Sequence, residues 1–296
     1  MANYSIKDLE RLTGIKAHTI RIWEKRYNLI EPERTSGNIR AYRDAELKKL
    51  LNISILNKHG YKISKIANFT SDQIADNVNK LSESTTDTVS QIENLAIAMI
   101  DLDENKFEKI LSQSIIQLGF EDTVNRILRP FFVKIGLMWQ TGSINPAQEH
   151  FVSNLVRQKM LVAIDSQIAG DSPHSKNFTL FLPEGEMHEL GLLFANYLIR
   201  KRGHHVVYLG QNVPLDDLIE IEHIRPSEYM LTAFITSLTH CNLQSYLNRL
   251  LEQFPEKKVF LTGEQAVSML DHLPDNVKYL DSPETLTAEL NYISSL

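Results

Sequence analysis

A histidine stands two residues after one glutamate and three before a glycine, in Glu186-Met187-His188-Glu189-Leu190-Gly191, shortly behind the apolar run Phe178-Thr179-Leu180-Phe181-Leu182. That order predicts a strand, a loop and a helix start, so the imidazole falls at the carboxyl end of a strand, where an α/β sheet presents its ligands. One ring nitrogen could there bind a metal while the Glu186 carboxylate takes the N–H of the other, fixing the ring and raising its basicity. Gly191 leaves room for a close neighbour. A histidine after a strand also serves as an ordinary surface or capping residue, so the motif alone leaves both readings open.

Upstream, Trp139 is followed after nine residues by Glu149-His150, with Gly142 and Pro146 marking a loop between two amphipathic stretches. An indole ending one helix, and a carboxylate and imidazole opening the next, could converge on a bulky ligand. Taken alone, they equally suit a core aromatic and a first-turn acid favoured by the helix dipole.

The elements that must position these groups follow from periodicity. From residue 177 onward, apolar strands at Phe178–Leu182, Val206–Leu209, Tyr229–Ile235, Lys258–Leu261 and Val277–Leu280 alternate with helical segments, and a last helix starts near Ser282. This predicts a flavodoxin-like, doubly wound parallel sheet. Before it, helical spacing in Ile92–Asp101, Lys106–Leu118, Phe120–Met138 and Pro146–Ile168 predicts a four-helix bundle. Residues 70–90, polar and rich in Ser, Thr and Asp, read as a partly flexible linker.

The first 70 residues carry 14 Lys and Arg against 7 Asp and Glu, whereas the whole chain has a net charge of −6. A basic head on an acidic body suits a protein that meets phosphate at one end. Ser5-x-x-Asp8 is a variant capping box before Ile6, Leu9 and Leu12, and Gly14 breaks the helix. The next helix, Ala17 to Tyr27, turns Ile20, Trp23 and Tyr27 inward and leaves Lys16, Thr19, Arg21 and Lys25 toward a duplex. Arg34 to Arg43 reads as a ribbon whose Arg34, Arg40, Tyr42 and Arg43 would lie along phosphates. The expected fold class is thus α and α/β multidomain. A winged helix-turn-helix occupies residues 1–75, a linker 76–90, the bundle 91–172 and the sheet 173–296.

The composition, 43% hydrophobic and 23% charged, is that of a globular protein. The first residues form no apolar signal core and no run has the length of a membrane span, so a cytoplasmic location is expected. A single cysteine, Cys241, excludes an internal disulfide framework and a thiolate-rich zinc site. The chain has neither a Gly-rich phosphate loop nor a Gly-x-Ser-x-Gly elbow, which argues against the enzymes that use them.

Residues 3–72, from Tyr4-Ser5-Ile6 through Thr19-Ile20-Arg21-Ile22-Trp23-Glu24-Lys25-Arg26-Tyr27 to Arg40-Ala41-Tyr42, resemble the MerR-family DNA-binding domain. That implies double-stranded operator DNA as partner. The usual MerR dimerisation helix is missing from the pattern, because the text after Phe69 turns polar. Glu-x-His-x-x-Gly is similar to the Asp-x-His-x-x-Gly signature of cobalamin-binding domains. Trp139 with Glu149-His150 resembles the light-sensing MerR-type regulators of the CarH/LitR kind. The resemblance implies adenosylcobalamin as cofactor, with His188 as lower axial ligand to cobalt, and with Trp139, Glu149 and His150 over its upper face. Thr236-Ser237-Leu238 and Thr262-Gly263 would stand where the family has Ser-x-Leu and Gly-Gly along the nucleotide tail.

It further implies a homo-oligomer, dimer or tetramer, that represses in the dark and dissolves on illumination. The family's histidine after the tryptophan is Gln140 here, which leaves His150 as the nearest candidate upper ligand. Three rivals stay open. They are a cobalamin sensor indifferent to light, a regulator whose degenerate cobalamin domain docks a protein, and a corrinoid enzyme or carrier.

Overall fold

A computed structural model describes residues 4–34, 40–84, 87–140, 144–167, 174–236 and 243–295. The chain divides into two compact units, Met1–Leu155 and Val156–Leu296. Among the described residues, no helix is long and apolar enough to cross a membrane.

In the first unit, helix α1 (Ile6–Thr13) starts at Ser5, whose hydroxyl accepts from the Asp8 N–H while Asp8 accepts from the Ser5 N–H. That reciprocal box satisfies two of the donors a helix start leaves open. Gly14, in the left-handed conformation with φ 72°, ends the helix. Helix α2 (Ala17–Tyr27) buries Ile20 and Trp23. Strands β1 (Glu33–Arg34) and β2 (Arg40–Ala41) pair antiparallel, and α3 (Asp44–Lys58) supplies Leu47, Leu50, Leu51 and Ile55 to the core. Helix α4 (Ile63–Ile66) is a single turn.

Residues 71–84, expected as part of a flexible linker, instead form helix α5 (Ser71–Ser84). Thr70 and Gln73 make a capping box at its start, and Ile74 and Val78 are buried, one helical turn apart. Helices α6 (Thr88–Asp101) and α7 (Glu104–Leu118) follow. Helix α8 (Phe120–Thr123) then runs through a π turn, Val124–Leu128, into α9 (Arg129–Gln140). A π turn inside a helix is uncommon and re-phases the side chains beyond it. Phe107 and Phe131, both fully buried and 5.8 Å apart at their ring centroids, sit in this helical core. Helix α10 (Pro146–Asp165) begins with a capping box between Asn145 and Gln148, and the Gln148 amide also donates to the Ile100 carbonyl.

The second unit is a five-stranded parallel sheet in the order β4-β3-β5-β6-β7. Its strands are β3 (Asn177–Pro183), β4 (His205–Val213), β5 (Tyr229–Ala233), β6 (Lys258–Thr262) and β7 (Val277–Tyr279). Between them run α11 (Leu190–Lys201), α12 (Leu215–Ile224), α13 (Leu243–Gln253) and a 3-10 helix, Glu264–His272, and α14 (Pro283–Ser294) closes the unit. All five expected strands and their intervening helical segments are present. The order is that of flavodoxin-like folds, with the first strand between the second and the third. The chain therefore reverses direction across the sheet between β3 and β5, which opens a crevice beyond their carboxyl ends.

Candidate functional site

Glu186 and His188 lie in the loop after β3, at that reversal. Two residues of β4 hold the loop: the Asn212 side chain accepts from the Gly185 N–H at 2.8 Å, and the Gln211 amide donates to the Met187 carbonyl at 2.7 Å. Glu186 is fully buried, yet neither carboxylate oxygen lacks a partner. Oε1 accepts from the N–H of Met187 and of His188 and lies 2.6 Å from His188 Nδ1. Oε2 accepts from the N–H of Ile235 and Thr236 and from the Thr236 hydroxyl. One carboxylate thus ties the loop after β3 to the loop after β5.

Burial pushes the Glu186 carboxyl up, but the Thr236 N–H, the His188 ring and the backbone of His188 and Ile235 outweigh it, holding the pKa down to about 2. An ionised carboxylate only accepts, so the contact places a proton on Nδ1 of His188 and leaves Nε2 as the ring nitrogen not bonded to Glu186. The His188 side chain is 53% exposed while that of Glu186 is 0%. The result is an imidazole oriented by a carboxylate through one nitrogen, the arrangement found behind metal-binding histidines.

Gly191, in the first turn of α11, is exposed, and a Cβ added to it would meet nothing within 4 Å. That surface is open to a bulky group. Gly263 differs: with φ +106°, its Cβ would lie 2.2 Å from the Phe234 carbonyl oxygen, so the chain's own packing demands this glycine. Thr236 spends its hydroxyl on Glu186. Ser237, Leu238 and Cys241 lie outside the described residues.

Three residues the sequence reading missed brace the segment after His188. Glu189 is buried at the start of α11, where its Oε1 lies 2.5 Å from Arg157 Nε and its Oε2 accepts from the Tyr208 hydroxyl at 3.1 Å. Burial and the Glu189 charge both raise the Tyr208 pKa, so the phenol stays a donor. Glu189 gave a signal as an acid at a helix start; Arg157 and Tyr208, brought in from distant sequence, gave none.

In the first unit, Trp139 is the penultimate residue of α9 and 49% exposed, and Gln140 beside it is exposed. Glu149, half-buried, ends the first turn of α10, and His150, exposed, follows it. A large aromatic left half in solvent at a helix end is available to a ligand, as a core residue would not be.

The basic head presents Arg21 and Lys25 exposed on α2, with Thr19 half-buried. Lys16 forms an ion pair with Glu10, whose other oxygen accepts from the Ala17 N–H and so caps α2. Arg34 is exposed on β1. Arg40 donates to Glu24 at 3.1 Å and Arg43 to Glu33 at 2.6 Å, so both wing arginines are held by carboxylates. Tyr42 corrects the sequence reading. It is 0% exposed, bridges backbone to backbone with Tyr4, and donates to Glu24 at 3.3 Å, which makes it a core residue of the wing and not a phosphate contact. Burial, followed by the Glu24 charge, pushes its pKa up to about 12. Arg21, Lys25, Arg34 and Arg40 line a cleft of about 560 Å³ between α2 and the wing.

Residues 4–73 match the MerR HTH family regulatory proteins and residues 91–163 match the B12 binding domain. The chain is 27% identical to the HTH-type transcriptional repressor CarH of Myxococcus xanthus over 260 residues, covering 85% of each protein. It is 25% identical to the repressor CarA of the same organism over 214 residues, 71% of this chain and 68% of the relative. The HTH-type transcriptional regulator MlrA of Escherichia coli matches over 76 residues at 33% identity, 26% of this chain and 31% of that one. Among solved structures, the monomethylamine corrinoid protein of Methanosarcina barkeri aligns with a TM-score of 0.52 at 14% identity, over 66% of this chain and 94% of that one, a likeness of fold.

Proposed function

From a chain that carries a MerR-family helix-turn-helix domain followed by a B12-binding domain, we infer a transcriptional regulator of the CarH/CarA type that binds operator DNA through its basic head and cobalamin through its second half. The observation that carries the cobalamin half is the Glu186–His188 pair, a saturated carboxylate presenting an imidazole Nε2 beyond the sheet's strand ends. The donor set fits. An imidazole oriented by a carboxylate is a cobalt ligand of the right kind, and the bare surface at Gly191 leaves room for a macrocycle. That relatives over most of the chain are repressors supports a regulator rather than an enzyme.

The finer reading is that the cofactor is adenosylcobalamin and that light is the signal. Bound there, adenosylcobalamin supplies a photolabile cobalt–carbon bond. His188 would supply the cobalt ligand, Glu186 would fix the His188 tautomer, and Trp139, Glu149 and His150 would contact the adenosyl group. The covered, dark form assembles as a homo-oligomer that represses, and loss of the adenosyl group dissolves it. A ligand drives such a switch only through a difference in affinity between the two assemblies. Gln140 favours a second reading, a cobalamin sensor indifferent to light, since a carboxamide is no strong cobalt ligand.

The test is electrophoretic mobility of a duplex that the protein itself enriches from a random-sequence pool, with adenosylcobalamin added in the dark and after green light. Retardation in the dark that is lost on illumination supports the light-responsive reading. Retardation in both supports the light-indifferent sensor, and none in either excludes the regulator.

A further inference from the structure

Among the described residues of the basic head, one large hydrophobic side chain is exposed, that of Ile22 on α2, at 52%. It does not belong to the core stripe of its helix. Ile20 and Trp23 form that stripe and are buried, and at 3.6 residues per turn Ile22 projects about 200° around the helix from Ile20. Its neighbours one turn away are His18, Lys25 and Arg26, all exposed, and exposed Arg21 flanks it in the chain. Ile22 is therefore the centre of the outward face of α2, ringed by basic side chains. Arg21 and Lys25 continue that face into the cleft they share with Arg34 and Arg40 of the wing.

A basic face of this kind meets phosphates, and phosphate contacts set orientation without reading sequence. An isoleucine at its centre can neither pair with a phosphate nor hydrogen-bond to a base edge. What the major groove offers such a side chain is the thymine 5-methyl group, the apolar mark on a T·A pair. Single exposed hydrophobics are ordinary on protein surfaces. Here, though, the other large hydrophobics described in the head are at least partly covered, and the one left in solvent stands in the middle of its cationic helix face.

We propose that Ile22 reads a thymine of the operator, its side chain packing on the 5-methyl group while the surrounding cations hold α2 in the major groove. The assignment rests on the operator-binding reading. It adds a base selected by apolar contact, independent of any hydrogen bonds that Thr19 or Arg21 make to other base edges.

The test uses the duplex that the full-length protein enriches from a random-sequence pool. Each thymine is replaced in turn by uracil, which lacks only the 5-methyl group, and the affinities of wild type and Ile22→Ala are measured on every duplex. Wild type should lose about fourfold at one particular thymine, the worth of one buried methyl-sized group. Ile22→Ala should bind the unmodified duplex several-fold more weakly and lose less than about twofold at that same thymine, a non-additive cycle as for groups in contact. Its urea midpoint should not fall, because an exposed side chain is removed and alanine is the better helix former. Equal uracil losses in both proteins would overturn the assignment, as would a wild type indifferent to every thymine methyl. Unchanged DNA affinity in Ile22→Ala would overturn it too and leave the side chain to a partner other than DNA. A protein that enriches no duplex would instead fail the operator-binding reading, and the assignment with it.

Discussion

His188 Nδ1 lies 2.6 Å from Glu186 Oε1, the ring half exposed and the acid wholly buried. The asymmetry separates their roles, since the buried partner organises and the exposed one presents. His188→Ala should remove the proposed cobalt ligand, lower affinity for adenosylcobalamin and change the cobalt absorption bands. Glu186→Ala should be milder for the cofactor, about 10–100-fold, the usual effect of an outer partner of a metal-bound histidine. It should also cost stability, about 1–3 kcal/mol for each buried donor left without an acceptor at Ile235 and Thr236. Equilibrium dialysis and urea unfolding on the same two variants check both halves.

The Glu186 carboxyl gives a pH signature. Its folded pKa of about 2 lies below the ordinary 4.5, so its stabilising contribution is complete above 4.5 and is lost as pH falls through that value toward about 2. His204 adds a second window. Buried between Phe178 and Ser294, its imidazole is held below the ordinary 6.5, first by burial, so the unfolded chain binds a proton that the folded one refuses. Stability should therefore already decline as pH drops below 6.5. Urea midpoints across pH should lose the upper slope in His204→Gln and the lower one in Glu186→Gln.

Much of this site was legible in the sequence, and what was not has identifiable causes. The apolar runs gave all five strands of the sheet, and the His188 loop followed from its place behind β3. Glu186 was legible as the His188 partner two residues away, but its bonds to Ile235 and Thr236 join residues 49 and 50 apart and depend on β3 and β5 being neighbours. No local spacing encodes that adjacency. Helix α5 did have a local signal, the Thr70-x-x-Gln73 box before Ile74 and Val78, masked by the polar composition around it. Tyr42 misled because its arginine neighbours suggested a phosphate surface, while its own ring closes the core against Tyr4.

The head makes a graded set of predictions. Arg34→Ala should lower the log–log salt slope of DNA affinity by about one unit with little change in sequence preference. Substituting Thr19 or Arg21 on α2 should change which sequence is preferred, if those side chains reach base edges. Tyr42→Phe should leave the salt slope unchanged and cost about 0.5–1.5 kcal/mol of stability, the worth of its hydrogen bond to Glu24. Binding titrations at several salt concentrations distinguish these outcomes. A Tyr42→Phe variant with a reduced slope would return that residue to the DNA surface.

Trp139 should be dispensable for holding cobalamin and indispensable for reading it. Trp139→Ala should retain the cofactor through His188 but show the same elution volume with adenosylcobalamin and with hydroxocobalamin, whereas the wild type should differ between the two. If light releases the adenosyl group, His150 rather than Gln140 would be the side chain able to ligate the metal, since Gln140 is a poor ligand. Size-exclusion chromatography with spectra of His150→Ala and Gln140→His decides between them. A two-imidazole spectrum surviving in His150→Ala would point to another upper ligand.

Whether His188 binds cobalt in a protein that also binds DNA is read from the retained cofactor and its spectrum. Wild type and His188→Ala are each mixed with adenosylcobalamin in the dark, passed through a desalting column, and their absorption spectra recorded. The wild type should retain the corrinoid with bands shifted by an imidazole ligand, and the variant should retain less, with the bands of free cofactor. Equal retention with identical spectra would contradict cobalt binding by His188.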